Sequence, residues 1–116
     1  MTDPTIGNLM TEIKCFKENL TPSTDLRSSI QITDGQWHHV GLVWDLFGTR
    51  ILYVDGVEVA KNTMQEGTMD FGEDGGINIG FQASILHRPG YWSGLIDDVR
   101  IYDVALTPEQ VVALTQ

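Results

Sequence analysis

Two Asp-Gly dipeptides lie between short apolar runs, and they constrain the fold more than any other feature of the chain. The first is Asp34-Gly35, and residues 37–44 after it are rich in the β-branched and aromatic residues that favour strands. The second, Asp55-Gly56, stands between two further apolar runs. Asp-Gly accepts the positive φ angles of a type I′ turn, whose twist matches that of the strands it joins. Residues 50–60 are therefore predicted to form a β-hairpin.

Alternation of apolar and polar residues predicts further strands along the chain. It occurs at residues 9–16 and 26–32, ahead of the first Asp-Gly turn, and again at residues 77–81 and 92–102. Residues 1–8 show no such pattern and are predicted to be a loose tail. Counting the hairpin and the strand before it, the sequence predicts about seven strands and an all-β chain.

The C-terminal residues show the pattern of a helix start. Thr107 is a suitable helix N-cap, Pro108 fits the first helical position, and Gln110 stands three residues after the cap, as in a capping box. A short C-terminal helix is therefore predicted over residues 107–115.

Length and charge limit the classes of protein to consider. The chain has 116 residues, which is one domain, and its sixteen acidic and seven basic residues give a net charge of −9. Such a charge repels a phosphate backbone, so nucleic acid is not an expected partner. No apolar stretch has the length of a membrane span. The single cysteine, Cys15, cannot form an internal disulfide and is expected to be a small buried residue.

Five segments of the chain match, in order, the motifs of a known family. They are DGQWHHV at 34–40, YVDGVEVA at 53–60, INIG at 77–80, WSGLIDDVRIY at 92–102 and ALTPEQ at 105–110. On these motifs the chain resembles the laminin G-like, or concanavalin A-like lectin, domains. The resemblance covers about residues 33–114, and the first thirty residues carry little of it.

The resemblance implies an antiparallel β-sandwich of the jelly-roll type with a short C-terminal helix, formed by residues 1–116 as one domain. Two packed sheets of this type need more strands than the sequence predicts. The chain is therefore expected to correspond to the C-terminal two-thirds of such a domain, shortened at its N-terminal side. Open sheet edges favour association, so we expect a second copy, in a homo-oligomer, or an extended N-terminal segment to cover them.

The acidic residues do not indicate catalysis. An enzyme of this fold class would cleave glycosidic bonds with two carboxylates about 5 to 10 Å apart. The nearest group is Glu66, Asp70 and Glu73, whose spacing does not place all three on one strand face and whose neighbouring glycines indicate a loop. The chain is therefore predicted not to be an enzyme, and a glycan-cleaving activity is the disfavoured alternative.

The adjacent histidines His38 and His39 are of a residue type that binds metal ions and transfers protons. Adjacent strand residues point to opposite faces, so the two side chains cannot hold one ion together. We expect a structural role, in which one histidine bonds to neighbouring backbone and the other meets solvent.

Calcium is the expected metal, because the resemblance implies an ion at the sandwich rim held by Asp side chains and backbone carbonyls. Asp70, Glu73 and Asp74 lie in a Gly-rich loop whose oxygen ligands suit calcium's high coordination number. Asp97 shares a predicted strand face with Val99, so it is expected to point inward and to need a partner. The partner of Asp97 is either an ion or backbone N–H groups. For Asp70, Glu73 and Asp74, the alternative to holding an ion is exposure to solvent.

Carbohydrate recognition needs an exposed aromatic face with polar groups beside it. The loop at residues 86–91 offers His87, Arg88 and Tyr91, and a second corner offers Trp44. These four residues are the predicted ligand-binding residues. Two other tryptophans, Trp37 and Trp92, occupy positions where the family has core aromatics, and they are expected to pack.

The resemblance implies a non-catalytic binding or adhesion module that recognises a carbohydrate or a protein. Such a module is normally part of a larger secreted or cell-surface protein. Residues 1–4 lack the basic and apolar residues of a secretory signal, so the chain either stays inside the cell or derives from a longer secreted parent. A self-associating structural domain without a small ligand is the alternative function.

Overall fold

The fold is described from a computed structural model that covers residues 7–13, 24–45, 48–63, 79–82 and 90–116. These residues contain seven strands and one helix: β1 (Asn8–Ile13), β2 (Thr24–Gln31), β3 (Val40–Trp44), β4 (Thr49–Val54), β5 (Val57–Thr63), β6 (Phe81–Gln82), β7 (Gly90–Tyr91) and α1 (Pro108–Leu114).

All strand pairs in the described residues are antiparallel. β1 pairs with β2, β4 stands between β3 and β5, and β6 pairs with β7. β2 also lies against β4 and β5, so the hairpin of β1 and β2 packs on the three-stranded sheet. The chain is an antiparallel β-sandwich with a short C-terminal helix, as the sequence predicts.

The core of the described residues is centred on β4, the middle strand of its sheet. Leu52 and Val54 alternate with their neighbours and are fully buried on one face, together with Arg50. The guanidinium Nε of Arg50 donates a hydrogen bond of 3.1 Å to Asn62 Oδ1 on β5, which satisfies part of this buried polar group. Tyr53 points the other way and is also buried, so β4 is covered on both faces.

The hairpin of β4 and β5 confirms the prediction from Asp55-Gly56. Val54 pairs with Val57, which leaves a loop of two residues, and both have positive φ angles, 52° for Asp55 and 81° for Gly56. This is the backbone that a type I′ turn requires. The strand before the hairpin is shorter than predicted, because β3 begins at Val40 and not at Trp37.

The helix α1 begins as the sequence predicts. The Gln110 N–H donates to Thr107 Oγ1 at 3.2 Å, and the Thr107 N–H donates to Gln110 Oε1 at 2.8 Å, which completes the capping box. Val111 is buried, and Val112 lies beside the Gly56 backbone. The helix therefore docks on the turn between β4 and β5.

The predicted strand at residues 92–102 is wrong. The structure has a strand at β7, directly before it, and none between residues 92 and 107. Val99 and Ile101 are 55% and 71% exposed, and Asp97 is exposed as well, so the expectation that Asp97 points inward is also wrong. Alternation produces a strand only where a neighbour completes the hydrogen-bond ladder and covers one face, and no described strand pairs with this segment.

We predict that Leu52→Ala lowers the free energy of unfolding by about 2–5 kcal/mol, because it removes buried methyl groups from the centre of the core. Val57→Ala is the matched control, since Val57 is exposed in the adjacent strand. Its cost should stay below about 1 kcal/mol. Urea unfolding measures both, and equal losses in the two variants would contradict this description of the core.

Candidate functional site

A cleft of about 320 Å³ opens where the loop before β3 meets the turn after β7. One wall includes Gln36 and Trp37, and the other includes Trp92, Ser93 and Leu95. The Trp37 side chain is 66% exposed and that of Trp92 is 40% exposed. A volume above about 300 Å³ is within the range of small-molecule sites. The cleft therefore presents two indole surfaces to solvent with polar side chains beside them.

The turn after β7 holds the Trp92 side chain in place. Its indole Nε1–H donates to the Leu95 carbonyl at 3.3 Å, and the Trp92 backbone N–H donates to the Gly80 carbonyl at 2.8 Å. A Cβ atom at Gly94 would lie 3.0 Å from the indole nitrogen, which is too close for an ordinary contact. Glycine at this position therefore lets the turn wrap around the edge of the ring.

A histidine and two aspartates lie next to the wall that contains Gln36 and Trp37. His38 Nδ1 is 2.7 Å from Asp55 Oδ2, and His38 Nε2 is 2.8 Å from Asp34 Oδ1. Asp34 begins the turn that leads to Gln36 and Trp37, and its Oδ1 also accepts the Gln36 N–H at 3.0 Å. The His38 side chain is 16% exposed, while both carboxylates are about half exposed. The imidazole therefore links the two Asp-Gly turns.

These contacts shift all three pKa values in favour of the charged forms. Hydrogen bonds to Asp55 and then to Asp34 raise the pKa of His38 above its usual value of 6.5, against a smaller effect of burial. The hydrogen bond to His38 is the largest cause that lowers the pKa of Asp34, and it is also the largest for Asp55, from the usual 3.8. Both carboxylates are therefore ionised at neutral pH and already engaged.

The described part of this site does not have the features of a glycosidase. A general acid in such an enzyme is a carboxyl group with a raised pKa, standing opposite a second carboxylate across the substrate. Asp34 and Asp55 both have lowered pKa values, and the imidazole of His38 occupies the space between them. Through His38, the two carboxylates connect the two Asp-Gly turns.

The structure changes the roles that the sequence suggested for the histidines and tryptophans. His38 bridges two carboxylates, where the sequence predicted a bond to backbone or exposure to solvent. His39 contributes its backbone, since its N–H donates to Asp55 Oδ1 at 3.0 Å and its carbonyl accepts the Asp55 N–H at 2.7 Å. Trp37 and Trp92 line the cleft, so the expectation that they pack in the core is wrong.

The predicted ligand-binding residues are distributed differently. Trp44 is partly buried at the end of β3 and does not line the cleft. Tyr91 pairs through its backbone with Phe81 and directly precedes Trp92. His87 and Arg88 lie outside the described residues, so their part in binding stays a prediction.

Calcium binding also stays a prediction. Three of the predicted ligands, Asp70, Glu73 and Asp74, lie outside the described residues. The fourth, Asp97, accepts the N–H of Asp98 at 2.8 Å, and Asp98 itself forms two hydrogen bonds with Arg100. Within the residues that the structure describes, no three His, Cys, Asp or Glu side chains form a group able to hold a metal ion.

Comparisons with known proteins identify the fold. A family model described as the concanavalin A-like lectin/glucanases superfamily matches residues 9–112. A crystal structure of an S-layer domain-containing protein, residues 221–444, from Clostridium thermocellum ATCC 27405 superposes with a TM-score of 0.62 at 21% sequence identity. The alignment covers 100% of this chain and 66% of that one. A search of curated proteins gave no match. In the described residues, no helix is long and apolar enough to span a membrane.

We predict that Asp55→Asn lowers stability more at about pH 5.5 than at about pH 9.5, because protonated His38 loses its charged partner. The contribution of His38 to stability is complete below pH 6.5 and is lost as the pH rises through its raised pKa. The contribution of Asp55 is present above pH 3.8 and is lost as the pH falls through its lowered pKa. The bridge is therefore strongest between these limits.

Asp98→Asn is the matched control, because Asp98 also has a positive φ angle, 53°, and asparagine tolerates this conformation. It removes the same charge from an exposed pair with Arg100, which stays protonated at both pH values. Chemical unfolding should show a small effect of this variant that does not change with pH. A pH-independent effect of Asp55→Asn would contradict the bridge.

Proposed function

Because the chain belongs to the concanavalin A-like lectin/glucanase superfamily, we propose that it is a non-catalytic module that binds a glycan in the cleft between Trp37 and Trp92. The observation that carries this proposal is the exposure of two indole side chains across one cleft. Large aromatic side chains are usually covered in a folded chain, so two of them together at a concave surface favour a ligand.

The chemistry of the cleft suits a sugar ring. The C–H face of a pyranose is apolar and packs flat on an indole, while its hydroxyl groups require hydrogen-bond partners at the ring edge. Gln36 stands beside Trp37, and Ser93 stands beside Trp92. The amide can donate and accept, and so can the hydroxyl, which matches the mixed character of sugar hydroxyls.

The net charge of the protein favours neutral glycans over anionic ones. With −9 on 116 residues, the protein repels sulfated and uronic acid polysaccharides at low ionic strength. Neutral polysaccharides carry no such penalty, so we assign a neutral glycan to the cleft. We place the module in a larger extracellular or cell-surface protein, a setting that the family and the S-layer domain-containing neighbour support.

A second function is favoured by the segment that begins at Leu95, on the edge of the cleft. Residues 95–104 include six exposed apolar side chains: Leu95, Ile96, Val99, Ile101, Tyr102 and Val104. Scattered apolar residues are normal on a protein surface, but six exposed ones within ten residues favour association with a protein. We therefore propose self-association through residues 95–104 as the alternative, either beside glycan binding or in its place.

We predict that Trp37→Ala weakens binding to a neutral polysaccharide by at least about tenfold, because the main stacking surface of the cleft is lost. Tyr102→Ala is the matched control, since Tyr102 is 44% exposed and does not line the cleft. A panel of neutral polysaccharides in affinity electrophoresis, followed by calorimetry on the best ligand, measures both.

The proposal fails if wild type retains no polysaccharide of the panel, or if Trp37→Ala binds as well as Tyr102→Ala. A reducing-sugar assay on the bound polysaccharide tests the non-catalytic part. Steady release of reducing ends by the wild-type chain would replace the binding module with a glycan-cleaving enzyme.

For the alternative function, we predict that sedimentation velocity shows a dimer whose fraction increases with salt. Salt screens the repulsion between two copies that each carry −9, while burial of apolar side chains is not weakened by it. Val99→Glu and Ile101→Lys should each reduce the dimer fraction, because both place a charge in the surface that is buried on association. A monomer at every salt concentration would rule out self-association.

A further inference from the structure

The two hydrogen bonds of His38 can form at the same time only when the imidazole is protonated. An ionised carboxylate accepts hydrogen bonds and donates none, and a neutral imidazole has a single N–H. His38 nevertheless has both ring nitrogens within 2.8 Å of carboxylate oxygens, one from Asp34 and one from Asp55. The arrangement therefore needs the imidazolium form, in which both nitrogens donate.

Loss of this proton breaks one side of the bridge. Whichever nitrogen keeps its hydrogen, the other turns a lone pair toward a carboxylate oxygen at less than 3 Å, and the two repel. Asp55 also forms hydrogen bonds that do not involve the imidazole. Its Oδ1 accepts the His39 N–H, and its own N–H donates to the His39 carbonyl. Asp34 is bonded to His38 and, within its own turn, to Gln36. The weaker attachment is thus that of the Asp34 turn.

The Asp34 turn carries one wall of the cleft. Gly35, Gln36 and Trp37 follow Asp34 directly and line the cleft, whereas His38 starts the approach to β3. Trp37 is 66% exposed, so few contacts with the rest of the chain hold its side chain. The position of this wall therefore depends on the polar contacts of the Asp34 turn.

We propose that His38 is a positioning residue that, when protonated, clasps the Asp34 turn to the Asp55-Gly56 turn and so holds the cleft in its binding shape. Above the pH at which His38 loses its proton, the clasp opens and the cleft binds its ligand more weakly. This regulation rests on the proposed glycan site, although the clasp itself is a property of the folded chain.

Among the residues that the structure describes, few charged groups act on the clasp. Asp34 and Asp55 act on His38, and His39 acts electrostatically on Asp55. The carboxylates are half exposed, so salt screens part of the attraction. Opening is therefore expected to shift to lower pH at high ionic strength, because screening weakens the preference for the imidazolium.

Two measurements together test the proposal. The first needs no ligand: NMR follows the imidazole of His38 and the backbone N–H groups of Gln36 and His39 during a pH titration. Because these two groups donate to Asp34 and Asp55, at least the Gln36 signal should change with the midpoint of His38, and that midpoint should lie above pH 6.5. Asp34→Asn, which keeps an oxygen for the Gln36 N–H, should lower the His38 midpoint, and Asp98→Asn should leave it unchanged.

The second measurement is the affinity for the best neutral polysaccharide as a function of pH. Wild type should bind several-fold more weakly above the His38 midpoint than below it, and Asp34→Asn should show the same loss of affinity at a lower pH, because its His38 midpoint is lower. A His38 midpoint at or below pH 6.5, or a Gln36 signal that does not respond to it, overturns the clasp. Polysaccharide affinity that is equal on both sides of the midpoint overturns its control of the cleft.

The two proposals fail in different ways. If wild type binds no polysaccharide at any pH, the glycan site is wrong while the NMR titration still decides the clasp. If binding is found and Asp34→Asn shares the pH profile of wild type, the glycan site stands and the clasp does not control it. Should Asp34→Asn fail to fold, Asp55→Asn provides the same comparison from the other carboxylate.

Discussion

The turn at Asp55-Gly56 is the point on which the described structure depends. Its two positive φ angles set the register of β4 on β5, and this hairpin contains the buried centre of the core. The Asp55 carboxylate bonds the side chain of His38 and the backbone of His39, which fixes the entry into β3. Gly56 lies against Val112, so α1 docks on the same turn. A single two-residue loop thus connects the sheet, the helix and the wall of the cleft.

Those parts of the structure that local chemistry determines could be predicted from the sequence. The Asp55-Gly56 hairpin, the capping box of α1 and the positions of β1 and β2 follow from residues close together in the chain. Each depends on a turn, a cap or an alternation that needs no distant partner to be recognised. The concanavalin A-like fold was likewise evident from motifs in the right order, and the family comparison confirms it.

The sequence does not show which element packs on each face of a strand, so the features that depend on such packing could not be predicted. Trp92 and Val99 belong to an alternating segment that would form a strand if another strand paired with it, and no described strand does. For Trp37 the resemblance to the family predicts a core position, whereas the residue precedes β3 and lies exposed in a loop. The bridge through His38 did have a signal, because two Asp-Gly turns flank the β3–β4 hairpin and antiparallel pairing brings them together. Its significance appears only once Val40 is seen opposite Val54.

The site combines two exposed indole side chains with a network of polar groups that bond one another. The charges of Asp34, His38 and Asp55 act on one another, and both carboxylates have lowered pKa values. The indoles of Trp37 and Trp92 remain open to solvent, and their apolar faces gain from being covered. This arrangement is the basis for our proposal that the cleft binds by shape and stacking and that the protonation of His38 regulates it.

The most direct test of this account is to follow the three tryptophan indole N–H signals by NMR during titration with a neutral oligosaccharide that the protein binds. If the glycan binds in the cleft, the signals of Trp37 and Trp92 shift together and saturate at the same ligand concentration, while that of Trp44 stays in place. A shift of Trp44 with no change at Trp37 and Trp92 would locate the site at the corner after β3 and would contradict the account.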